Sequence, residues 1–127
     1  MGHRLLIIDD DAGIQKMLKT VFECENFEVT VASDGLIALE CLEQTRPDLI
    51  LLDLMLPNMD GWAFVKELEQ RGLRSSLPVL VLTADIYAKS QVDSMDVEGW
   101  LVKPFHLAEL LSQVRSLLDQ VGDEKVL

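Results

Sequence analysis

Three adjacent carboxylates, Asp9, Asp10 and Asp11, follow the apolar run Leu5–Ile8 without a spacer. Contiguous like charges repel, and their pKa values rise unless a cation neutralises them. With no His or Cys nearby, hard carboxylate oxygens suit Mg2+, which prefers octahedral oxygen coordination and keeps several waters. Asp11, directly before AGIQKML, also stands where a helix N-cap would, and Asp is favoured there. A fourth carboxylate, Asp53, closes the apolar run in PDLILLDLMLPNMDGW, where an ionised side chain is costly unless it has a function. Carboxylates act as nucleophiles by forming acyl phosphates, and a neighbouring metal ion offsets the charge of the incoming phosphoryl group. Asp48 and Asp60 fit ordinary turn and cap roles and stay outside this constellation.

The elements that must position these groups are apolar runs of strand length alternating with segments of helical period. The runs are Leu5–Ile8, Phe27–Ala32, Leu49–Leu52, Val79–Leu82 and Trp100–Val102, rich in Val, Ile and Leu with little polar alternation. Such runs predict parallel strands covered on both faces. Ile14, Met17, Leu18, Val21 and Phe22 form one helical stripe, and Leu36 to Leu39 with Leu42 suit a second. Phe64, Val65 and Leu68 supply a third, Ile86–Met95 a weaker fourth, and Leu107 to Val121 a long, regular fifth. Strict alternation implies right-handed crossovers and an α/β doubly wound sheet. In these sheets ligands bind outside the carboxyl ends of the strands, where strand order switches. Asp9 to Asp11, Asp53, Thr83 and Lys103 all fall at that edge. A strand-ending Thr or a single Lys is otherwise ordinary, and the shared edge is what raises Thr83 and Lys103 to candidates.

Composition narrows the function classes. The 127 residues suit one domain, with 49% hydrophobic and 26% charged residues, a globular balance. Acidic residues outnumber basic ones by 22 to 11, and the net charge of -11 repels nucleic-acid phosphates and anionic membranes. The expectation is no direct nucleic-acid binding and no membrane association. Cys24 and Cys41 have no paired spacing and are expected to be buried thiols in a reducing cytoplasm. MGHRLL is too short for a signal peptide, and Leu6 stands where a myristoylation motif wants Ser or Thr. Only GDEKVL at the end reads as a tail.

Four motifs in order, IIDDD, LLDLMLPNMDGW, VLVLTA and WLVKPF, resemble the receiver domains of two-component response regulators over roughly residues 4 to 121. The resemblance implies a flavodoxin-like (βα)5 fold with strand order 2-1-3-4-5, a receiver domain over residues 1–121 and a short C-terminal tail over 122–127. It makes Asp53 the phosphoacceptor. Asp9, Asp10 and Asp53 would hold Mg2+ with the backbone carbonyl of Met55, Asp10 being a direct ligand. Thr83 and Lys103 would contact the phosphoryl group, Trp100 would be the aromatic switch residue, and the Lys103–Pro104 peptide would be cis. The implied partners are a sensor histidine kinase or phosphotransfer protein and a downstream output domain or protein. Such a domain would catalyse only its own phosphorylation and dephosphorylation.

Two other readings use the same residues. A haloacid-dehalogenase-like phosphatase also carries a strand-end Asp nucleophile, with Asp9 and Asp11 imitating its first motif, but Gly13 stands where that motif wants Thr or Val. A pseudo-receiver would keep the fold as an unphosphorylated binding module. The chain also departs from the receiver pattern: Trp100 replaces the usual Tyr or Phe, Asp96 and Val97 replace a Gly-Ala pair, and fewer residues separate Thr83 from Lys103. An indole moving into a close-packed interior meets a cost of about 1–3 kcal/mol. The expectation is therefore that Trp100 moves less than the family's aromatic does, or that the shortened segment widens its pocket.

Overall fold

The computed structural model describes residues 2–126, with side chains described as far as Asp119. The elements alternate as β1 (Arg4–Ile8), α1 (Ala12–Cys24), β2 (Glu28–Ala32), α2 (Gly35–Thr45), β3 (Leu49–Asp53), α3 (Gly61–Gln70), β4 (Val79–Thr83), α4 (Lys89–Ser94), β5 (Gly99–Val102) and α5 (Leu107–Val126). A single 3-10 turn, Arg74–Ser76, precedes β4. All strands are parallel, in the order β2-β1-β3-β4-β5. The doubly wound sheet expected from the alternating pattern is the observed one.

Period-two alternation divides each central strand between two cores. Leu5, Ile7, Leu49, Leu51, Leu80, Leu82 and Leu101 pack with Leu18 and Phe22 of α1 and with Leu110, Val114 and Leu118 of α5. Leu6, Ile8, Ile50, Leu52, Val79 and Val81 pack on the other face with residues of α2, α3 and α4. Double coverage explains why these strands lack polar residues in the sequence.

The starts of the first three helices are set by aspartates. Asp11 Oδ1 accepts from the Gly13 and Ile14 N–H groups at 2.8 and 3.1 Å, as its position suggested. Asp34 and Asp60 cap α2 and α3 through Ile37 N–H and Ala63 N–H, each at 2.9 Å. At the opposite edge of the sheet, Arg74 acts as a strut. Its guanidinium donates to the Leu77 and Asp96 carbonyls at 2.9 and 2.8 Å and, through both terminal nitrogens, to the Glu98 carboxylate.

Two expectations need correction. The fourth helix spans only Lys89–Ser94 rather than Ile86–Met95. Asp85 Oδ1 accepts from Tyr87 N–H at 2.8 Å, giving the backbone a turn in place of a helical start. Cys24 is exposed and Cys41 half-buried, because Cys24 ends α1 away from the face carrying Leu18 and Phe22. The backbone of α5 runs on to Val126, and the side chains of the stretch 122–127 expected as a tail lie outside the described residues.

The α3 N-terminus approaches β3 so closely that only glycine fits. A Cβ at Gly61 would lie 2.8 Å from Leu54 Cα and 2.9 Å from the Asp53 carbonyl oxygen. Gly61→Ala must therefore move backbone, with an expected loss of about 1–3 kcal/mol. A lower urea midpoint with an unchanged m-value would register it, and an unchanged midpoint would contradict the close approach.

Candidate functional site

Parallel register places the site residues side by side. Ile8 pairs with Leu52, so Asp9 and Asp53 stand next to each other one step beyond, at the switch point between β1 and β3. Thr83 ends β4, and Lys103 N–H donates to the Thr83 carbonyl at 2.7 Å, continuing the β4–β5 ladder to the same edge. Alternation gives Asp9, Asp53 and Lys103 the parity of Ile7, Leu51 and Leu101 on their own strands, which face α1 and α5. Thr83 shares the parity of Val79 and Val81, on the face where Trp100 is packed.

Asp9 and Asp53 are buried at 2% and 8% exposure, and Asp10 is exposed. One oxygen from each of the three carboxylates can be chosen so that all lie within 4.8 Å of one another, a donor set of hard oxygens. Lys103 Nζ lies 2.8 Å from Asp9 Oδ2 and 3.4 Å from Asp53 Oδ2. Asp9 Oδ1 accepts from Asp11 N–H at 2.9 Å, and the Gln15 side-chain amide donates to the Asp9 carbonyl. Asp53 Oδ1 accepts from Met55 N–H at 3.1 Å. Thr83 is fully buried, with its Oγ1 accepting from Asp85 N–H at 3.1 Å. Beside it Ala84 is exposed, so the edge of the site is open there. The Lys103–Pro104 peptide is cis.

Burial pushes the Asp53 carboxyl above its usual range; the Met55 N–H and the Lys103 charge counter this, and the Asp9 charge adds to it. Burial draws Lys103 down, but its hydrogen bond to Asp9 and the charges of Asp53 and Asp9 outweigh it, so the ammonium is held above its ordinary value. Asp34 is held low by the Ile37 N–H and the Asn58 amide. The repulsion anticipated among the acidic residues is thus offset within the chain by one lysine.

Asp9, Asp10, Asp53 and Lys103 come together, while Asp11 turns away to cap α1. That removes from the site one of the two carboxylates a dehalogenase-like motif would use. Trp100 is half-buried against the α2–α3–α4 core, remote in parity from the charged trio. Gln15, Asp34 and Asn58 support the site and were absent from the sequence reading. The local signals for Asp34 and Asn58 are the turn residues of SDG and PNMDG, whereas Gln15 has none.

Buried acidic groups and a lysine gathered at the carboxyl edge of a doubly wound sheet stand where α/β domains of this class bind their ligands. The response regulator receiver domain family model matches residues 5–115, and the chain belongs to that family. Response regulator MprA of Mycobacterium tuberculosis is 36% identical over 126 residues, covering 98% of this chain. The chain spans about half, 54%, of that relative's length. The receiver domain of Francisella response regulator 1452 is similar in structure, with a TM-score of 0.85 and 30% identity over 94% of this chain and 98% of that one. Response regulator TrrA of Thermotoga maritima, in a structure complexed with Mg2+ and BeF, gives a TM-score of 0.82 and 28% identity over 92% and 99% of the two chains.

The raised Asp53 value sets a sign for stability. Between the unfolded and folded pKa values the native state binds the extra proton, so stability falls as pH rises through that window. Asp53→Asn removes this penalty. Without divalent metal, its melting temperature should exceed that of the wild type at neutral pH, and the advantage should shrink as pH falls through the carboxylate range. An advantage that grows on acidification would contradict the raised value.

Proposed function

We propose that this receiver domain accepts a phosphoryl group on Asp53 from a phosphohistidine of a sensor histidine kinase or phosphotransfer protein. The observation that carries the reading is the buried Asp53 carboxylate, beside Asp9 and within reach of the Lys103 ammonium. A carboxylate oxygen of Asp53 forms the new P–O bond as the P–N bond to the donor imidazole breaks. Lys103 supplies positive charge to the phosphoryl oxygens, and the buried Thr83 hydroxyl supplies a hydrogen bond once it turns toward them. Hydrolysis of the resulting acyl phosphate returns Asp53, so the domain acts on itself and turns over no separate substrate.

Asp9, Asp10 and Asp53, with the Met55 carbonyl, would hold Mg2+, and their all-oxygen donor set fits it. Bound there, Mg2+ would offset the charge brought by the phosphoryl group.

Docking of the phosphodonor is supported by apolar side chains around the same edge. Met55, Ile86 and Tyr87 are exposed at 67%, 61% and 84%. A largely apolar groove of about 520 Å³, lined by Ile14, Met17, Phe105 and Leu107 among others, runs up to Lys103. The output is a population shift in the segment from Thr83 to Trp100, passed to a downstream domain or protein. No described helix is long and apolar enough to cross a membrane, and we place the domain's work in the cytoplasm, without direct contact to nucleic acid.

Incubation with acetyl phosphate and Mg2+ should add one base-labile phosphoryl group to the wild type and none to Asp53→Asn by intact mass. Equal labelling of both would move the nucleophile elsewhere. Mg2+ should raise the melting temperature by mass action, and Asp10→Ala should lose most of that rise. For the switch, Trp62→Phe leaves Trp100 as the tryptophan reporter. Its emission on adding beryllofluoride and Mg2+ should change less than full exposure or burial of an indole would give, with the larger backbone change between Asp85 and Val97. A complete change of quencher access at Trp100 would overturn that restraint.

A further inference from the structure

The loop between β3 and α3, residues 54–60, carries Met55, whose N–H orients Asp53 and whose carbonyl completes the proposed metal set. A short irregular segment holds such a position only if it is fastened. Gly61 N–H donates to the Leu54 carbonyl at 3.0 Å, closing the loop at its base. Its far side is held by the turn between β2 and α2. Asn58 Nδ2 donates to Asp34 Oδ2 at 2.7 Å, and Gly35 N–H donates to the Met59 carbonyl at 3.2 Å.

Both partners are specialised for this contact. Asn58 has φ of 63°, a left-handed conformation that Asn tolerates. Gly35 has no room for a Cβ, which would lie 2.8 Å from Met59 Cγ and 2.9 Å from the Met59 carbonyl oxygen. Asp34 differs from the caps of α1 and α3. Asp11 and Asp60 are exposed, whereas Asp34 is 5% exposed and spends its second oxygen outside its own helix. Capping alone needs neither the burial nor the second bond.

The same turn reaches the other half of the site. Asp9 N–H donates to the Ala32 carbonyl at 3.1 Å, and the Gln15 amide that holds the Asp9 carbonyl lies 3.5 Å from Ser33 Oγ. The β2–α2 turn is therefore a common anchor for the Asp9 end and the Met55 end of the acidic pocket.

We propose that Asp34 and Asn58 are positioning residues whose hydrogen bond fixes the Met55 loop and thereby sets the affinity of the acidic pocket for divalent cation. This rests on the reading of Asp9, Asp10, Asp53 and Met55 as the metal site. The backbones of Asp9 and Asp53 are held by the Ala32 carbonyl and by pairing with β4, so loss of the clamp frees Met55 and, through its N–H, the orientation of the Asp53 carboxylate. Outer-shell partners of this kind typically change metal affinity by about 10- to 100-fold when removed.

Asn58→Gly keeps the left-handed backbone and the Asp34 cap but deletes the amide. Asp34→Ser keeps a favoured cap but is too short to reach Asn58. By isothermal titration with Mg2+, both should bind about 10-fold more weakly than the wild type. Hydrogen exchange at the Met55 amide should quicken in both, and the urea midpoint of Asn58→Gly should fall, because the buried Asp34 carboxylate loses its amide donor. Leu118→Ala, remote in α5, should lose stability yet keep the wild-type Mg2+ affinity. An unchanged Mg2+ affinity in Asn58→Gly, with or without faster exchange, would overturn the proposal. Absence of Mg2+ binding by the wild type would instead overturn the metal site, and the exchange at Met55 would still report whether the clamp orders the loop.

Discussion

One ammonium shared by two buried carboxylates is the constraint around which this domain is arranged. Asp9 and Asp53 stand on neighbouring strands because β1 and β3 pair in register, and neither has much water to screen its charge. Lys103 must therefore reach back from beyond β5, past β4 to Asp53 and past β3 as well to Asp9. Removing Lys103 would leave two buried carboxylates uncompensated. The fold supports this arrangement with backbone donors: Asp11 N–H on Asp9, Met55 N–H on Asp53. Burial makes Asp53 costly to ionise, and the Met55 N–H and the Lys103 ammonium work against that cost.

The parts of this arrangement that sequence can convey are those with a local period or a fixed end. Parallel strands announce themselves as apolar runs, and the edge rule then gathers Asp9, Asp10, Asp53, Thr83 and Lys103 from the ends of separate strands without any contact being known. The residue types at that edge suffice for the receiver resemblance. What escapes is decided by single side-chain bonds over long separations. The Asp34–Asn58 pair joins two turns that look ordinary in isolation, and the amide of Gln15 is indistinguishable from any helix-surface glutamine. The delayed start of α4 escapes for the opposite reason: the bond from Tyr87 N–H to Asp85 is so local that it competes with a helical pattern of comparable strength. Thiol burial fails as a rule of thumb because Cys24 lies at a helix end, past the apolar stripe.

The segment from Thr83 to Trp100 is held unevenly. Its far end is braced by the Arg74 guanidinium on the Asp96 carbonyl and the Glu98 carboxylate, and Glu98 also accepts from Val79 N–H at 2.7 Å. Its near end has Ala88 at the helix start, with no side-chain cap, after exposed Ile86 and Tyr87. Regions with few fastenings open at the lowest free energy. The end beside Thr83 is held by short-range bonds, Asp85 N–H on Thr83 Oγ1 and Tyr87 N–H on Asp85 Oδ1, whereas the far end is tied by a side chain from a distant turn.

The division of side chains between the two sheet faces makes the sheet a bulkhead. Asp9, Asp53 and Lys103 lie by alternation on the α1 and α5 side, whereas Thr83 and Trp100 lie on the other. Unbroken strand pairing leaves no passage through the wall for a displaced side chain. The two compartments meet around the carboxyl rim, and Thr83, at the last position of β4, stands on that threshold.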